Sequence, residues 1–92
     1  MEYDAAIIGL GYVGLSTAIC FASRGIKVLG IDIDQKKVQK IRTGKSPIFE
    51  KNMPILLKKV VKNGKLNVQS NYDEICKSKI IFLAVGTPSN NN

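Results

Sequence analysis

Ninety-two residues, 45% of them hydrophobic and 23% charged, make one folding unit, because domains run to on the order of 100 to 150 residues. A chain of this size buries only about 60 to 65% of the surface it exposes when unfolded, which excludes a self-sufficient two-domain enzyme. The apolar content excludes disorder, and no apolar run approaches the roughly 20 residues of a bilayer span; the formal charge is +7, from 14 basic and 7 acidic residues.

The opening Met1-Glu2-Tyr3-Asp4 has neither the basic region nor the cleavage site of a secretory leader, so the expected location is cytoplasmic. Asp4 to Gly9 is a short apolar run ending in glycine, the pattern of a buried strand. Tyr12 to Arg24 then carries Val13, Ala18, Cys20 and Phe21 at helical spacing and closes at Gly25, a natural helix stop. Ile26 to Asp32 predicts a second strand. Asp34 is placed to cap a helix from Gln35 to about Thr43, with Val38 and Ile41 inward and Gly44 ending it.

From Lys45 to Asn52 there is no period, and Pro47 marks a surface loop. Asn52 is the expected cap of a third helix, with Pro54 tolerated in its first turn. Leu56, Leu57, Val60 and Val61 form its inward stripe, and Gly64 stops it. Leu66 to Gln69 alternates as a short strand. Asn71 and Glu74, three apart, resemble a capping box that opens a short helix to Lys77. Lys79 to Gly86 is apolar on both faces and reads as a central parallel strand. With right-handed crossovers, these elements specify an α/β fold, a doubly wound parallel sheet of spatial order 3-2-1-4.

Ten basic residues lie between Lys36 and Lys65 against the single acid Glu50. Such a stretch attracts phosphates, but no recognition-helix pattern or aromatic stacking motif accompanies it. The lysines fall at helix-surface positions, so they read as a solvated face, with neither nucleic acid nor membrane as a partner. Cys20 and Cys76 are far apart and the chain has no histidine, so no metal site is expected. Both cysteines read as reduced side chains packed in the core. Neither has a sequence neighbour that would activate a thiol.

Gly9-Leu10-Gly11-Tyr12-Val13-Gly14 fits GxGxxG between a predicted strand and a predicted helix. Gly9 lets the chain turn off the strand, Gly11 admits a pyrophosphate, and Gly14 allows close helix packing. The helix N-terminus then offers unpaired amides to the phosphates. Eighteen residues beyond Gly14 stands Asp32, at the end of the second strand, where an acid hydrogen-bonds a ribose diol and repels a 2′-phosphate. NAD is therefore preferred to NADP, with Lys36 and Lys37 close by. Gly86, Thr87, Pro88 and Ser89 follow the fourth strand at the topological switch point, where Thr87 and Ser89 are placed to donate to the dinucleotide.

Four segments in order, Gly9 to Leu15, Gly30 to Val38, Gly44 to Glu50 and Ala84 to Ser89, together resemble the N-terminal part of the UDP-glucose/GDP-mannose dehydrogenase family. The shared motifs are GYVGL, SPI with an aromatic and Glu, and VGTPS. The resemblance implies a Rossmann-type domain in residues 1–92, incomplete after its fourth strand and without a second domain. It implies NAD as cofactor, and a parent enzyme that oxidises the C6 alcohol of UDP-glucose or a related sugar nucleotide to a carboxylate with two NAD. Positions 9 to 14 correspond to the pyrophosphate turn, Asp32 to the ribose ligand, Lys37 to the basic residue at the adenosine end, and Val85 to Ser89 to the segment lining the cofactor. After Glu50 the family continues Pro-Gly-Leu where this chain has Lys51-Asn52-Met53. The family's catalytic cysteine and sugar-nucleotide contacts lie further along than this chain reaches, and neither Cys20 nor Cys76 corresponds to that cysteine. No catalytic residue is therefore expected here, and the sugar nucleotide is a partner of the full-length enzyme only. Residues 80–85 should then form an open edge through which the chain self-associates. The other readings are a stand-alone NAD-binding or regulatory module, the same portion of a UDP-N-acetylmannosamine or GDP-mannose dehydrogenase, and another GxGxxG enzyme such as an S-adenosylmethionine methyltransferase.

Overall fold

The computed structural model describes residues 2–48, 50 and 52–84. In chain order it contains β1 (Tyr3–Ile8), α1 (Tyr12–Ser23), β2 (Val28–Ile31), α2 (Gln35–Arg42), α3 (Met53–Lys62), β3 (Leu66–Gln69), a single 3-10 turn (Ile75–Lys77) and β4 (Ser78–Leu83). All four strands run parallel in the order β3-β2-β1-β4. That is the order expected from the crossovers, and the element ends differ from expectation by at most three residues. Val85 and Gly86, expected in the fourth strand, lie outside the described residues.

Register places Ala6 beside Leu29 and Ile81, and Ile7 beside Gly30 and Phe82, so alternation sorts the sheet into two faces. On one face Ile7, Val28 and Val68 join Leu15, Ile19, Val38, Ile41, Leu57 and Val60 in the main core. On the other, Ala6, Leu29 and Ile31 cluster with Tyr3 and are covered in part by Ile75. Tyr3 is fixed at the base of the sheet: its hydroxyl donates to Glu74 Oε1 at 2.9 Å and accepts from Asn67 Nδ2 at 2.7 Å. Among the described residues no helix is long and apolar enough to cross a membrane.

Four local expectations are corrected. The buried side of α1 is Gly14, Leu15, Ala18, Ile19 and Ala22, not the stripe through Val13 and Cys20. The close approach at Gly14 sets the helix rotation, and Val13 and Cys20 sit about 100° or more around the axis from that face. Both cysteines are accordingly free and exposed rather than packed, Cys76 because its neighbour Ile75 takes the inward position of the one-turn helix. Asn52 stands at the α3 N-cap position but makes no side-chain cap bond. Its φ of 70° is left-handed, whereas a capping side chain reaches its amide from extended backbone. Asn71 and Glu74 form no capping box: Asn71 Oδ1 accepts from the Asp73 amide at 3.0 Å, and Tyr3 draws Glu74 away.

Candidate dinucleotide site

Ile8 ends β1, and the chain turns at once. Gly9 adopts φ 97°, a region that costs glycine little and other residues much, while its amide still donates to the Ile31 carbonyl at 2.8 Å. The next residue, Leu10, drops its side chain into the core and is 1% exposed. Room for it exists because β2 carries Gly30 beneath: a Cβ at Gly30 would stand 3.1 and 3.3 Å from the Leu10 methyl groups.

The Leu10 amide donates to Asp32 Oδ2 at 2.9 Å, and the Asp34 amide donates to Asp32 Oδ1 at 2.9 Å. Lys37 Nζ lies 3.4 Å from Oδ2. Asp34 in turn caps α2 by accepting from the Lys37 amide at 3.1 Å. Partial burial pushes the Asp32 carboxyl up, but the Asp34 and Leu10 amides and the Lys37 ammonium outweigh it and hold the group below the usual aspartate range. Asp32 is therefore ionised at neutral pH. The Leu10 amide and Lys37 occupy Oδ2 and the Asp34 amide occupies one position of Oδ1; a carboxylate offers about four, so the anchored group retains an acceptor position on Oδ1 for a ligand hydroxyl.

Gly11 is the N-cap of α1 and supplies no side-chain bond; no acid sits in the first turn. The first intrahelical bond is Leu15 N to Gly11 O at 2.9 Å, so the earlier amides have no helical acceptor. They point their partial positive charge at whatever occupies the turn. A Cβ at Gly11 would meet nothing within 4 Å. A Cβ at Gly14 would stand 1.8 Å from the Gly9 carbonyl oxygen and 3.2 Å from Ala84 Cβ. The open space at Gly11, the uncapped helix end and the anchored carboxylate are what a dinucleotide's pyrophosphate and adenosine ribose require, so these residues fit NAD.

The end of β4 lies beside this turn, with the Ala84 amide donating to the Ile8 carbonyl at 2.8 Å. From the opposite side, Tyr12 donates from its hydroxyl to the Glu50 carboxylate, which raises the Tyr12 pKa. The loop carrying Glu50 is itself tied by Ser46, whose Oγ donates to the Ile48 carbonyl and accepts from the Ile48 amide. Ile48 is buried beneath it.

Gly9, Leu10, Gly11, Tyr12, Val13, Gly14, Asp32 and Lys37 thus come together in one region. Val85, Gly86, Thr87, Pro88 and Ser89 lie outside the described residues. Motif reading missed two parts of this arrangement. The fit of Leu10 over Gly30 had a signal in the glycine inside an otherwise apolar strand, a pattern that marks close approach. The bond from Tyr12 to Glu50 joins residues 38 positions apart and left none.

Residues 3–92 match the family described as UDP-glucose/GDP-mannose dehydrogenase family, NAD binding domain. The chain is 42% identical over 86 residues to UDP-glucose 6-dehydrogenase YwqF of Bacillus subtilis, covering 92% of this chain and 20% of that protein. It is 40% identical over 88 residues to GDP-mannose 6-dehydrogenase of Pseudomonas putida, covering 95% and 20%. Among solved structures, GDP-mannose dehydrogenase from Pseudomonas aeruginosa superposes with a TM-score of 0.89 at 38% identity, over 95% of this chain and 20% of that one. A UDP-glucose dehydrogenase from Pyrobaculum islandicum gives 0.87 at 31%, over 98% and 21%. The chain spans about a fifth of the length of these relatives.

Proposed function

The chain belongs to the UDP-glucose/GDP-mannose dehydrogenase family, and on that premise we propose that it forms the incomplete N-terminal part of the NAD-binding domain of a nucleotide-sugar 6-dehydrogenase. The parent reaction is oxidation of the C6 alcohol of UDP-glucose or a related sugar nucleotide: one alcohol, two NAD⁺ and one water give one carboxylate, two NADH and three protons. NAD supplies the oxidising equivalents, and the residues of this chain bind and orient it. The turn from Gly9 to Gly14 takes the pyrophosphate, Asp32 the ribose diol, Lys37 the adenosine end and Val85 to Ser89 the far side. Neither Cys20 nor Cys76 is assigned a catalytic role.

The observation that carries this reading is the pair of bonds from the Leu10 and Asp34 amides to Asp32, which fix an acceptor beside an uncapped helix end. Titration calorimetry with NAD, NADP and S-adenosylmethionine tests it. We expect NAD to bind at least about tenfold more tightly than NADP, a difference of roughly 1.4 kcal/mol, and Asp32→Ala to remove that preference. Equal affinity for NADP would contradict the role given to Asp32, and preferential binding of S-adenosylmethionine would contradict the cofactor.

Self-association belongs to the same reading. β4 pairs only with β1 among the described strands, and Ile80, Ile81, Phe82 and Leu83 are 56, 48, 41 and 74% exposed. An apolar edge of this kind is a template for another strand. Sedimentation at about 100 μM, a range in which exposed strand edges associate, is expected to show oligomers that Ile81→Lys disperses. A monomeric unmodified chain would refute the edge as an interface.

A further inference from the structure

The lysines between Lys36 and Lys65 read as a solvated face in the sequence, but the fold gathers five of them around one cleft. Lys36, Lys37 and Lys40 from α2, Lys45 from the following loop and Lys58 from α3 line a cavity of about 870 Å³. Lys36 and Lys40 are one helical turn apart and therefore neighbours. Gly44 lets Lys58 approach the end of α2: at φ +84° it has no side chain, and a Cβ there would stand 2.9 Å from Lys58 Cγ.

Compensating charge is lacking. Among the described residues Asp34 is the one acid lining the cleft, and its carboxylate already caps α2. Lys37 pairs with Asp32. Among the described residues, Lys36, Lys40, Lys45 and Lys58 have no ion-pair partner. Like charges held in a concave site raise the local concentration of anions. Pro47, Pro54 and the lysine stems add an apolar wall, and the volume lies within the usual range for small-ligand pockets of about 300 to 1,000 Å³. A ligand with several phosphates and a flat apolar ring satisfies both features.

We propose that this cleft binds a nucleoside polyphosphate, at a site separate from the glycine turn, which contributes no residue to its lining, although Lys37 borders both sites. The inference is independent of the dehydrogenase reading. Its test is calorimetric titration of the chain with ATP, inorganic tripolyphosphate, adenosine and a mixed-sequence DNA oligonucleotide, at about 50 and about 200 mM salt. The variants are Lys40→Glu/Lys58→Glu and, as a control of equal net charge, Lys59→Glu/Lys62→Glu on the outer side of α3, with circular dichroism to confirm folding of both.

We expect ATP and tripolyphosphate to bind, ATP the more tightly, with affinity falling as salt rises, and adenosine to bind at least about tenfold more weakly than ATP. The cleft variant should lose about tenfold or more in ATP affinity while the control changes by less than about twofold. Saturating NAD should weaken ATP by no more than about threefold, because Lys37 is the one lining residue that the two sites share. Equal loss in both variants would reduce the effect to the overall field of the protein. Loss of ATP binding in saturating NAD would place ATP in the dinucleotide turn, and tighter binding of DNA would make this a nucleic-acid face; each of these, or no binding of ATP, overturns the proposal.

Discussion

Replacing Gly14 with alanine should destabilise the protein strongly, whereas the same change at Gly11 should leave its stability nearly intact and weaken NAD binding. At Gly14 the new Cβ would stand 1.8 Å from the Gly9 carbonyl oxygen, and backbone must move to make room. Overpacking costs about 1 to 3 kcal/mol where side chains can yield. This turn is clamped by the bond from Gly9 to Ile31, so the cost belongs at the top of that range or above it. A chain of 92 residues has about 5 to 14 kcal/mol of stability in all. At Gly11, φ is −73°, which alanine adopts freely, and nothing lies within 4 Å of the added carbon. Stability there should change by no more than about 0.5 kcal/mol, while NAD affinity falls at least about tenfold because the methyl group occupies the pyrophosphate's place. Urea unfolding and NAD titration of the two variants check both halves. A Gly14→Ala protein with the parent midpoint would refute the packing argument, and a Gly11→Ala protein with parent affinity would refute the assignment of the turn.

Leu10→Ala should cost about 2 to 5 kcal/mol, the range for deleting a buried leucine side chain, although position 10 is one of the variable positions of its motif. Leu10 is 1% exposed and fills the gap that Gly30 leaves. It also carries the amide that holds Asp32, so cavity formation should loosen the carboxylate and weaken NAD binding in the same variant. Gly30→Ala presses on the same contact from below, but against mobile methyl groups, and should cost less. Urea midpoints of the two variants rank them, and a Leu10→Ala midpoint at or above that of Gly30→Ala would mean that Leu10 does not anchor the turn.

Strand order and the crossover helices were legible in the sequence because β1, β2 and β4 are short and apolar, β3 alternates, and a glycine or a capping aspartate follows β1 and β2. Asp34 illustrates a local signal that holds: cap and amide are three residues apart, and nothing else competes for the carboxylate. Asn71 and Glu74 show the same spacing failing. Glu74 lies within reach of Tyr3, 71 residues away, and that bond, set by the sheet, displaces the local one. Asn52 fails for a backbone reason, because its left-handed φ directs the side chain away from the helix amides. Spacing alone also misjudged the inward side of α1, since Val13 and Cys20 are apolar and share a helical period. The rotation of that helix is decided by the bare approach at Gly14, which no count of apolar residues registers. In the candidate site, the glycine turn and Asp32 were legible as motif residues. Their connection through the Leu10 and Asp34 amides was not, because backbone donors carry no residue identity.

The position of β1 between β2 and β4 also sets a timetable for synthesis on the ribosome, where chains emerge from the N-terminal end at about 5 to 20 residues per second. β1 is made first, and one of its edges can be covered as soon as residues 28–31 of β2 have emerged. Its other edge must wait for residues 78–83, and until then a strand that β2 and β4 later flank on both sides is a border strand of a three-stranded intermediate. Among the four strands described, the longest wait thus falls on the one that delivers Gly9 and Leu10, and the glycine turn stays open on one side until β4 arrives.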